Sequence, residues 1–440
     1  MKRIYEPAAY RTPEKCWWRD SAPPRDLTQL DTDLQTDVAI IGGGFTGLNA
    51  ALGLAEAGTG SVVLDAAHPG WGASGRNGGF CCLGGAKASH AAITRAFGRD
   101  QAARWQQAQR AAVDHVAAML GAHDMDVDRH SEGETFLAHS PRAMKAVNEA
   151  AALASAHHGV TPHVFGAEAL PQLGLAGKFH GGVTVPIGFA LNPGKYHAGL
   201  LDAALRAGVR CFAGTAATAI TRVGQTWRVT TAQGTVTAGR ILLATNGYSS
   251  EDVPPWLRAR YLPVQSSIIV TRPITREEQE RQGWTSVQMC YDTRALLHYF
   301  RLMPDGRFLF GMRGGLAATP ASEKALARKI RSSFHRLFPE WQGIGITHEW
   351  SGLLCLMRRL TPFAGPVPDM PGVYAALGYH GNGVAMASYC GTRIADQLLG
   401  RPAQGPFPQF LTAPPRRFPL GRFRRALLAP AYAGAALMDG

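Results

Sequence analysis

Between residues 37 and 65 the chain carries five features in a fixed order, and few folds accommodate all of them. An apolar run, Asp37-Val38-Ala39-Ile40-Ile41, leads into Gly42-Gly43-Gly44-Phe45-Thr46-Gly47. An Ala- and Leu-rich stretch from Leu48 to Ala57 comes next, closed by Gly58, and a second apolar run, Ser61-Val62-Val63-Leu64, ends in Asp65. Short apolar runs of this kind suit parallel strands buried on both faces. In a GxGxxG turn between strand and helix, Gly42 permits the tight turn and Gly44 lets the backbone approach a pyrophosphate. Gly47 allows close helix–strand packing. Phe45 and Thr46 stand at the helix N-terminus, whose free N–H groups and partial positive charge attract phosphate. Asp65, about 20 residues on, is placed to accept hydrogen bonds from a ribose hydroxyl. The pattern predicts a Rossmann-type dinucleotide site. The uncharged stretch Val38–Ala55 resembles a membrane span only in hydropathy, because three glycines interrupt it after one strand's length.

The segment beyond Asp65 distinguishes between dinucleotides. Gly70-Trp71-Gly72-Ala73-Ser74-Gly75-Arg76-Asn77-Gly78-Gly79 is a second glycine-rich loop. A nicotinamide domain has no need of it, whereas a flavin must pass the backbone closely along its longer body, which makes Ser74 through Gly79 candidate FAD contacts. A third strand, Ile241-Leu242-Leu243-Ala244, runs into Thr245-Asn246-Gly247. A fourth, Val373–Leu377, enters Gly378-Tyr379-His380-Gly381-Asn382-Gly383 and then a helix predicted from Val384 to about Leu399. A helix N-terminus there would stabilise the negative charge of a reduced flavin, which makes Gly378, Gly381, Asn382 and Gly383 candidates as well.

Elsewhere the sequence mainly narrows the choice. Helical patterns fill 99–121 and 142–157, and 226–238 alternates at period 2 around a Gln-Gly turn. The net charge of +13 comes from scattered basic residues with one cluster, Arg416, Arg417, Arg422, Arg424 and Arg425. No nucleic-acid motif accompanies it, so a solvated basic surface is expected and nucleic acid is not. Ala426-Leu427-Leu428 and the apolar stretch to Met438 leave contact with a membrane surface open. Seven cysteines without a CxxC pair fit neither a disulfide framework nor a zinc site, and the N-terminus lacks an apolar signal core. The expected compartment is the cytoplasm and no metal is expected.

Taken together, GGGFTG, GWGASGRNGG, ATNGY at 244–248, Tyr299-Phe300-Arg301 with Asp305-Gly306-Arg307, Trp350-Ser351-Gly352 and GYHGNG resemble the D-amino-acid oxidase/sarcosine oxidase superfamily of FAD enzymes. Within it the chain is most similar to the γ-glutamylputrescine oxidase branch. The resemblance implies an α/β (α+β) fold, a Rossmann-type FAD domain interleaved with an antiparallel-sheet substrate domain. The FAD domain would take 34–90, 190–250 and 345–400, the substrate domain 91–189 and 251–344, and a C-terminal tail 401–440. It implies that the segment of Ala217 contacts the adenine. It also implies oxidation of an amine by hydride transfer to flavin, hydrolysis of the imine, and reoxidation by dioxygen or an electron carrier.

The chain departs from the family pattern at four places. Leu354 stands where D-amino-acid oxidases carry an arginine for the substrate carboxylate. The linkage cysteine of sarcosine oxidases aligns near Gly352, not Cys355. Phe308-Leu309-Phe310 lacks the lysine used for oxygen activation, and His380 replaces a commoner serine. These differences count against an α-carboxylate substrate, a covalent flavin and fast oxygen reaction, and they favour a small amine with non-covalent FAD. Tyr299, Arg301, Arg313 and His380 are the candidate substrate-side residues. A dehydrogenase or demethylase of N-methylated amino acids, or a flavin-binding subunit of a larger complex, are the alternatives.

Overall fold

A computed structural model describes residues 1–439. In chain order the elements begin with α1 (Trp17–Ser21), β1 (Leu34–Ile41), α2 (Phe45–Glu56), β2 (Ser61–Leu64), β3 (Phe80–Cys81), α3 (His90–Phe97) and α4 (Arg99–Ala122). Then come β4 (Glu134–Leu137), α5 (Met144–His158), β5 (His163–Gly166), β6 (Gly181–Val185), β7 (Phe189–Ala190), α6 (Pro193–Arg206) and β8 (Arg210–Phe212). The middle of the chain forms β9 (Ala219–Val223), β10 (Thr226–Thr230), β11 (Thr235–Leu243), β12 (Leu262–Pro273), α7 (Arg276–Gln282), β13 (Met289–Asp292), β14 (His298–Leu302) and β15 (Arg307–Arg313). The remainder is α8 (Pro320–Leu337), β16 (Ile346–Leu356), β17 (Phe363–Pro366), β18 (Val373–Leu377), α9 (Val384–Leu398) and α10 (Leu428–Asp439).

Two large sheets organise these elements. The first has the order β17-β18-β11-β1-β2-β8, with the β9–β10 hairpin attached to β11. Strands β18, β11, β1, β2 and β8 run parallel. Both faces are covered, so their apolar runs need no polar alternation. Val38 and Ile40 pack into the core beneath α2, α4, α6 and α9, while Ala39 and Ile41 pack into the core on the opposite face. The supposed membrane span is thus one strand and one helix, and no helix among the described residues is long and apolar enough to cross a membrane. The period-2 hairpin at 226–238 and the core strand at 241–243 prove to be joined, because β11 runs through both without a break.

The second sheet has the order β16-β12-β15-β14-β13-β4-β6-β5 and is antiparallel except for the β13–β4 pair. Strand β16 pairs along its length with β12, for example Ser267 with Ser351, so it belongs to this sheet and not to the parallel one. On one face of the sheet Phe300, Phe308 and Phe310 pack with Trp284, Phe334, Phe338 and Trp341 in an aromatic core roofed by α8. The other face is turned toward the first sheet. The tail folds back onto the body: Arg424 is fully buried in a two-point ion pair with Glu251, and Arg425 pairs with Glu6. Of the five clustered arginines, Arg424 is therefore an internal anchor and Arg425 a half-buried one.

Candidate active site

A cavity of about 580 Å³ lies where the C-terminal ends of the parallel strands meet the second sheet. Its floor comes from the turns after β1 (Gly42, Gly44), β2 (Asp65), β11 (Thr245, Asn246) and β18 (His380, Gly381). Parallel α/β sheets place ligands at this edge, because all their strand-to-helix turns gather there. Gly42 has φ +107°, and a Cβ on it would lie 2.7 Å from the Ala244 carbonyl oxygen, so the turn requires glycine. Gly44 caps α2, whose first residues, Phe45 and Thr46, line the cavity. Asp65 holds this turn in shape: its carboxylate accepts the Gly43 N–H at 2.9 Å and the Ala67 N–H at 3.0 Å. Burial pushes its pKa upward, an effect opposed by these two hydrogen bonds. His197, unremarked in the sequence, donates from Nε2 to the Gly43 carbonyl at 2.7 Å; burial depresses its pKa to about 4 and keeps it neutral.

The second glycine loop lies directly against the first. Ser74 Oγ accepts the Phe45 N–H at 2.9 Å. The buried Arg76 guanidinium bonds the carbonyls of Trp71, Arg11 and Ser351 and stacks on Trp71, which fixes the loop from three sides. Asn77 ties its own loop through Ala73, Ser74 and Gly79. Ser74, Arg76, Asn77, Gly78 and Ala217 all line the cavity, together with Asn382 and Gly383. Gly47, Gly75, Gly79, Gly247 and Gly378 do not reach it. They shape the turns behind its wall: a Cβ on Gly47 would lie 2.0 Å from the Gly42 carbonyl oxygen, and the Gly378 N–H is bonded by Asn246.

The four candidates for the substrate side separate in the structure. Tyr299 lines the cavity, its hydroxyl 2.9 Å from Ser266 Oγ, with Gly78 and Gly311 against its ring. Arg301 does not line it. Tyr299 and Arg301 share one face of β14, but the cavity ends at Gly78 and Phe80, and Arg301 lies beyond them, 1% exposed. Its guanidinium bonds the Leu191 carbonyl at 2.8 Å and His130 Nε2 at 2.9 Å, and burial draws its pKa down to about 9. His380 borders the cavity with both ring nitrogens engaged: Nδ1 is 3.0 Å from the Gly85 carbonyl and Nε2 accepts the Met357 N–H at 3.1 Å. That fixes the Nδ1–H tautomer, and burial lowers its pKa to about 4, so the ring is a neutral clamp joining three segments. It carries no proton for the cavity at neutral pH.

Arg313 differs from the other three. It lines the cavity and, among the described residues, has no hydrogen-bonded or ion-paired partner for its guanidinium. The titratable groups that act on it are Tyr299, Tyr432 and Cys82, none of them an anion at neutral pH. Burial lowers its pKa, yet a guanidinium stays charged. Lys87, another lining residue, donates to the Ala295 carbonyl at 3.3 Å and feels the charge of Asp439. Arg294 is different again, since buried Asp292 pairs with it and with His298. Tyr291, Phe136, Ser266, Lys87 and Cys82 also line it, and none of them stood out in the sequence because no local motif contains them; Tyr248, the last residue of ATNGY, lines it too.

A cavity with a glycine cradle at a helix N-terminus, a carboxylate at the end of the second strand and a second backbone loop fits FAD. The family model for FAD dependent oxidoreductases, DAO, matches residues 37–397. The chain belongs to the DAO family. It is an FAD-dependent oxidoreductase. It is 32% identical over 433 residues to a probable oxidoreductase, OrdL, of Rhizobium meliloti (strain 1021), covering 97% of this chain and 98% of that one. It is 28% identical to the gamma-glutamylputrescine oxidoreductase of Escherichia coli (strain K12), covering 90% and 91%. Among solved structures, glycine oxidase from Geobacillus kaustophilus superposes with a TM-score of 0.69 at 17% identity, over 86% of this chain and 98% of that one. The L-amino acid deaminase of Proteus myxofaciens gives 0.71 at 15% identity, over 94% and 99%. The expected Rossmann-plus-sheet architecture is the fold these proteins share.

Proposed function

We propose that this chain oxidises the C–N bond of a primary or secondary amine that also carries an anionic group, in a reaction like that of γ-glutamylputrescine oxidase. The observation that carries the reading is Arg313, a half-buried cation facing the cavity without a counter-ion among the described residues. A guanidinium partly withdrawn from water and left unpaired is costly until something neutralises it, and a substrate carboxylate would do so with two parallel hydrogen bonds. Leu354, at the place of the usual family arginine, borders the same cavity, so Arg313 supplies the missing charge from another strand. Bound FAD supplies the two-electron acceptor: hydride leaves the carbon bearing the nitrogen, water hydrolyses the imine, and dioxygen takes the electrons as peroxide. Gly42, Gly44, Phe45 and Thr46 hold its pyrophosphate, Asp65 its ribose, the Ala217 segment its adenine, and the Ser74–Gly78 loop its flavin end. Tyr299, with its hydroxyl set by Ser266, packs the substrate against the remaining wall. The FAD is held without a covalent bond. The cysteines lining the cavity, Cys82 and Cys355, are buried; burial raises the Cys82 thiol well above its usual range and Cys355 to about 12, so neither is a ready thiolate.

The test compares γ-glutamylputrescine with putrescine, which lacks the carboxylate, and adds sarcosine and glycine, monitoring both peroxide and dye reduction. γ-Glutamylputrescine should be oxidised with release of peroxide, and putrescine far more slowly. Arg313→Met should lower kcat/KM for the carboxylate-bearing amine by about 2–4 kcal/mol, roughly 30- to 1000-fold, and leave putrescine nearly unaffected. Equal loss for both amines would remove Arg313 from substrate binding. Dye reduction without peroxide would make the enzyme a dehydrogenase.

A further inference from the structure

Glu134, at the start of β4, is 4% exposed and has no cationic partner among the described residues. Its Oε2 accepts a hydrogen bond from the Tyr291 hydroxyl at 2.9 Å, and Tyr291 lines the cavity from β13. The residues opposite Glu134 on the flanking strands are Met289 and Val185, both apolar. The titratable groups facing it are Tyr291 on β13, Cys81 at the end of β3 and Cys82 after it; all three are held in their neutral forms by burial. Desolvation, opposed in part by the bonds from Tyr291 and Cys82, raises the Glu134 carboxyl to about 7. A buried carboxylate without a counter-ion weakens a fold, and the groups that bond this one, the Tyr291 hydroxyl, the Cys82 thiol and the Leu83 N–H, are all neutral. On the cavity side, the ring of Phe136 lies 5.0 Å from that of Tyr291, and both rings border the space, a surface that attracts an ammonium group.

We propose that Tyr291 and Glu134 form a two-step proton acceptor for the substrate ammonium. The inference rests on the reading of the substrate as an amine. An amine binds in water as its ammonium form, and its nitrogen must recover a lone pair before hydride can leave the neighbouring carbon. One N–H bond of the ammonium breaks and its proton passes to the Tyr291 oxygen. In the same step the Tyr291 O–H bond breaks and that proton passes to Glu134 Oε2. The nitrogen keeps the electron pair, no group is oxidised or reduced, and the phenol never holds a standing negative charge. Tyr291 touches the substrate, and Glu134 acts through it as a positioning residue.

Two measurements test this on the FAD-loaded enzyme. The first is anaerobic flavin reduction by γ-glutamylputrescine as a function of pH. For the unmodified enzyme the apparent second-order reduction rate should fall about tenfold per pH unit below a break near 7. In Glu134→Gln the break near 7 should vanish, because the ammonium can then lose its proton only to solvent and the rate should fall tenfold per unit all the way down from the ammonium's own pKa; Tyr291→Phe should behave in the same way while its FAD content and visible spectrum stay intact. The second uses no substrate: the infrared carboxylic C=O band that disappears on raising the pH through about 7 should be absent from Glu134→Gln. A break that stays near 7 in Glu134→Gln, with flavin still reduced, overturns the relay and leaves the amine reading standing. If γ-glutamylputrescine fails to reduce the flavin of the unmodified enzyme, the amine reading fails for that substrate, and the infrared band alone then decides whether Glu134 titrates there. A band that persists in Glu134→Gln overturns the assignment of the titration to Glu134.

Discussion

Replacing Asp65 by asparagine tests the cofactor site most directly, because the change keeps the side chain's shape and removes its charge. In the structure each carboxylate oxygen already accepts one backbone N–H, from Gly43 at 2.9 Å and from Ala67 at 3.0 Å. Each oxygen keeps a second lone pair for a ribose hydroxyl of the adenosine half of FAD. Asparagine offers one oxygen and one NH2, so one backbone N–H loses its acceptor and faces another donor. The surviving ribose bond is neutral rather than charge-assisted. Hydrogen bonds to a charged acceptor contribute about 1.5–3 kcal/mol and neutral ones about 0.5–1.5 kcal/mol. The expected weakening of FAD binding is about 1–3 kcal/mol, or roughly 5- to 150-fold in Kd. The assay is titration of the apoprotein with FAD, read by quenching of flavin fluorescence, and repeated with FMN. FMN lacks the adenosine ribose, so its weak affinity should be the same in both proteins. An unchanged Kd for FAD would refute the ribose assignment. An equal loss for FMN would show that only the shape of the Gly43 turn had suffered.

Acid precipitation of the yellow holoprotein should leave the flavin in the supernatant; colour retained in the pellet would show a covalent bond. Gly311→Ala should displace Tyr299, because the added Cβ would fall 2.1 Å from its ring. We expect a stability loss of about 1–3 kcal/mol in urea unfolding and a raised KM, whereas a variant with unchanged stability would mean that the ring moves aside freely. His380 has a folded-state pKa depressed by burial to about 4, so its contribution to stability is present above about pH 6.5 and is lost as pH falls toward 4. His380→Asn keeps one donor and one acceptor and tolerates the residue's φ of +54°; its stability should fall less steeply between pH 6.5 and 4, by about 3 kcal/mol across that range. Identical slopes would show that His380 does not titrate with unfolding.

The dinucleotide half of the molecule was legible because its chemistry is local. Strand, glycine turn, helix, strand and Asp65 are consecutive in the chain, and each part is required by the geometry of one turn. The same holds for the helix over 99–122 and the hairpin ending in β11, whose periodicities report their buried faces. The substrate half was not legible in this way. Period-2 alternation states which face of β14 carries Tyr299 and Arg301, but not how far along that face the cavity extends. That limit is set by Gly78 and Phe80, more than two hundred residues earlier, and it leaves Tyr299 at the cavity and Arg301 behind its wall. Whether an arginine is paired depends equally on distant segments. Arg424 meets Glu251 across 173 positions, while Arg313 meets no carboxylate among the described residues, and nothing in the neighbourhood of either predicts the difference. Glu134 and Tyr291 are 157 positions apart and become neighbours only because β4 and β13 lie side by side in the second sheet. Backbone turns and burial patterns are short-range properties written in consecutive residues. The balance of charge inside a cavity is a sum over strands drawn from the whole chain, and it exists only once they are assembled.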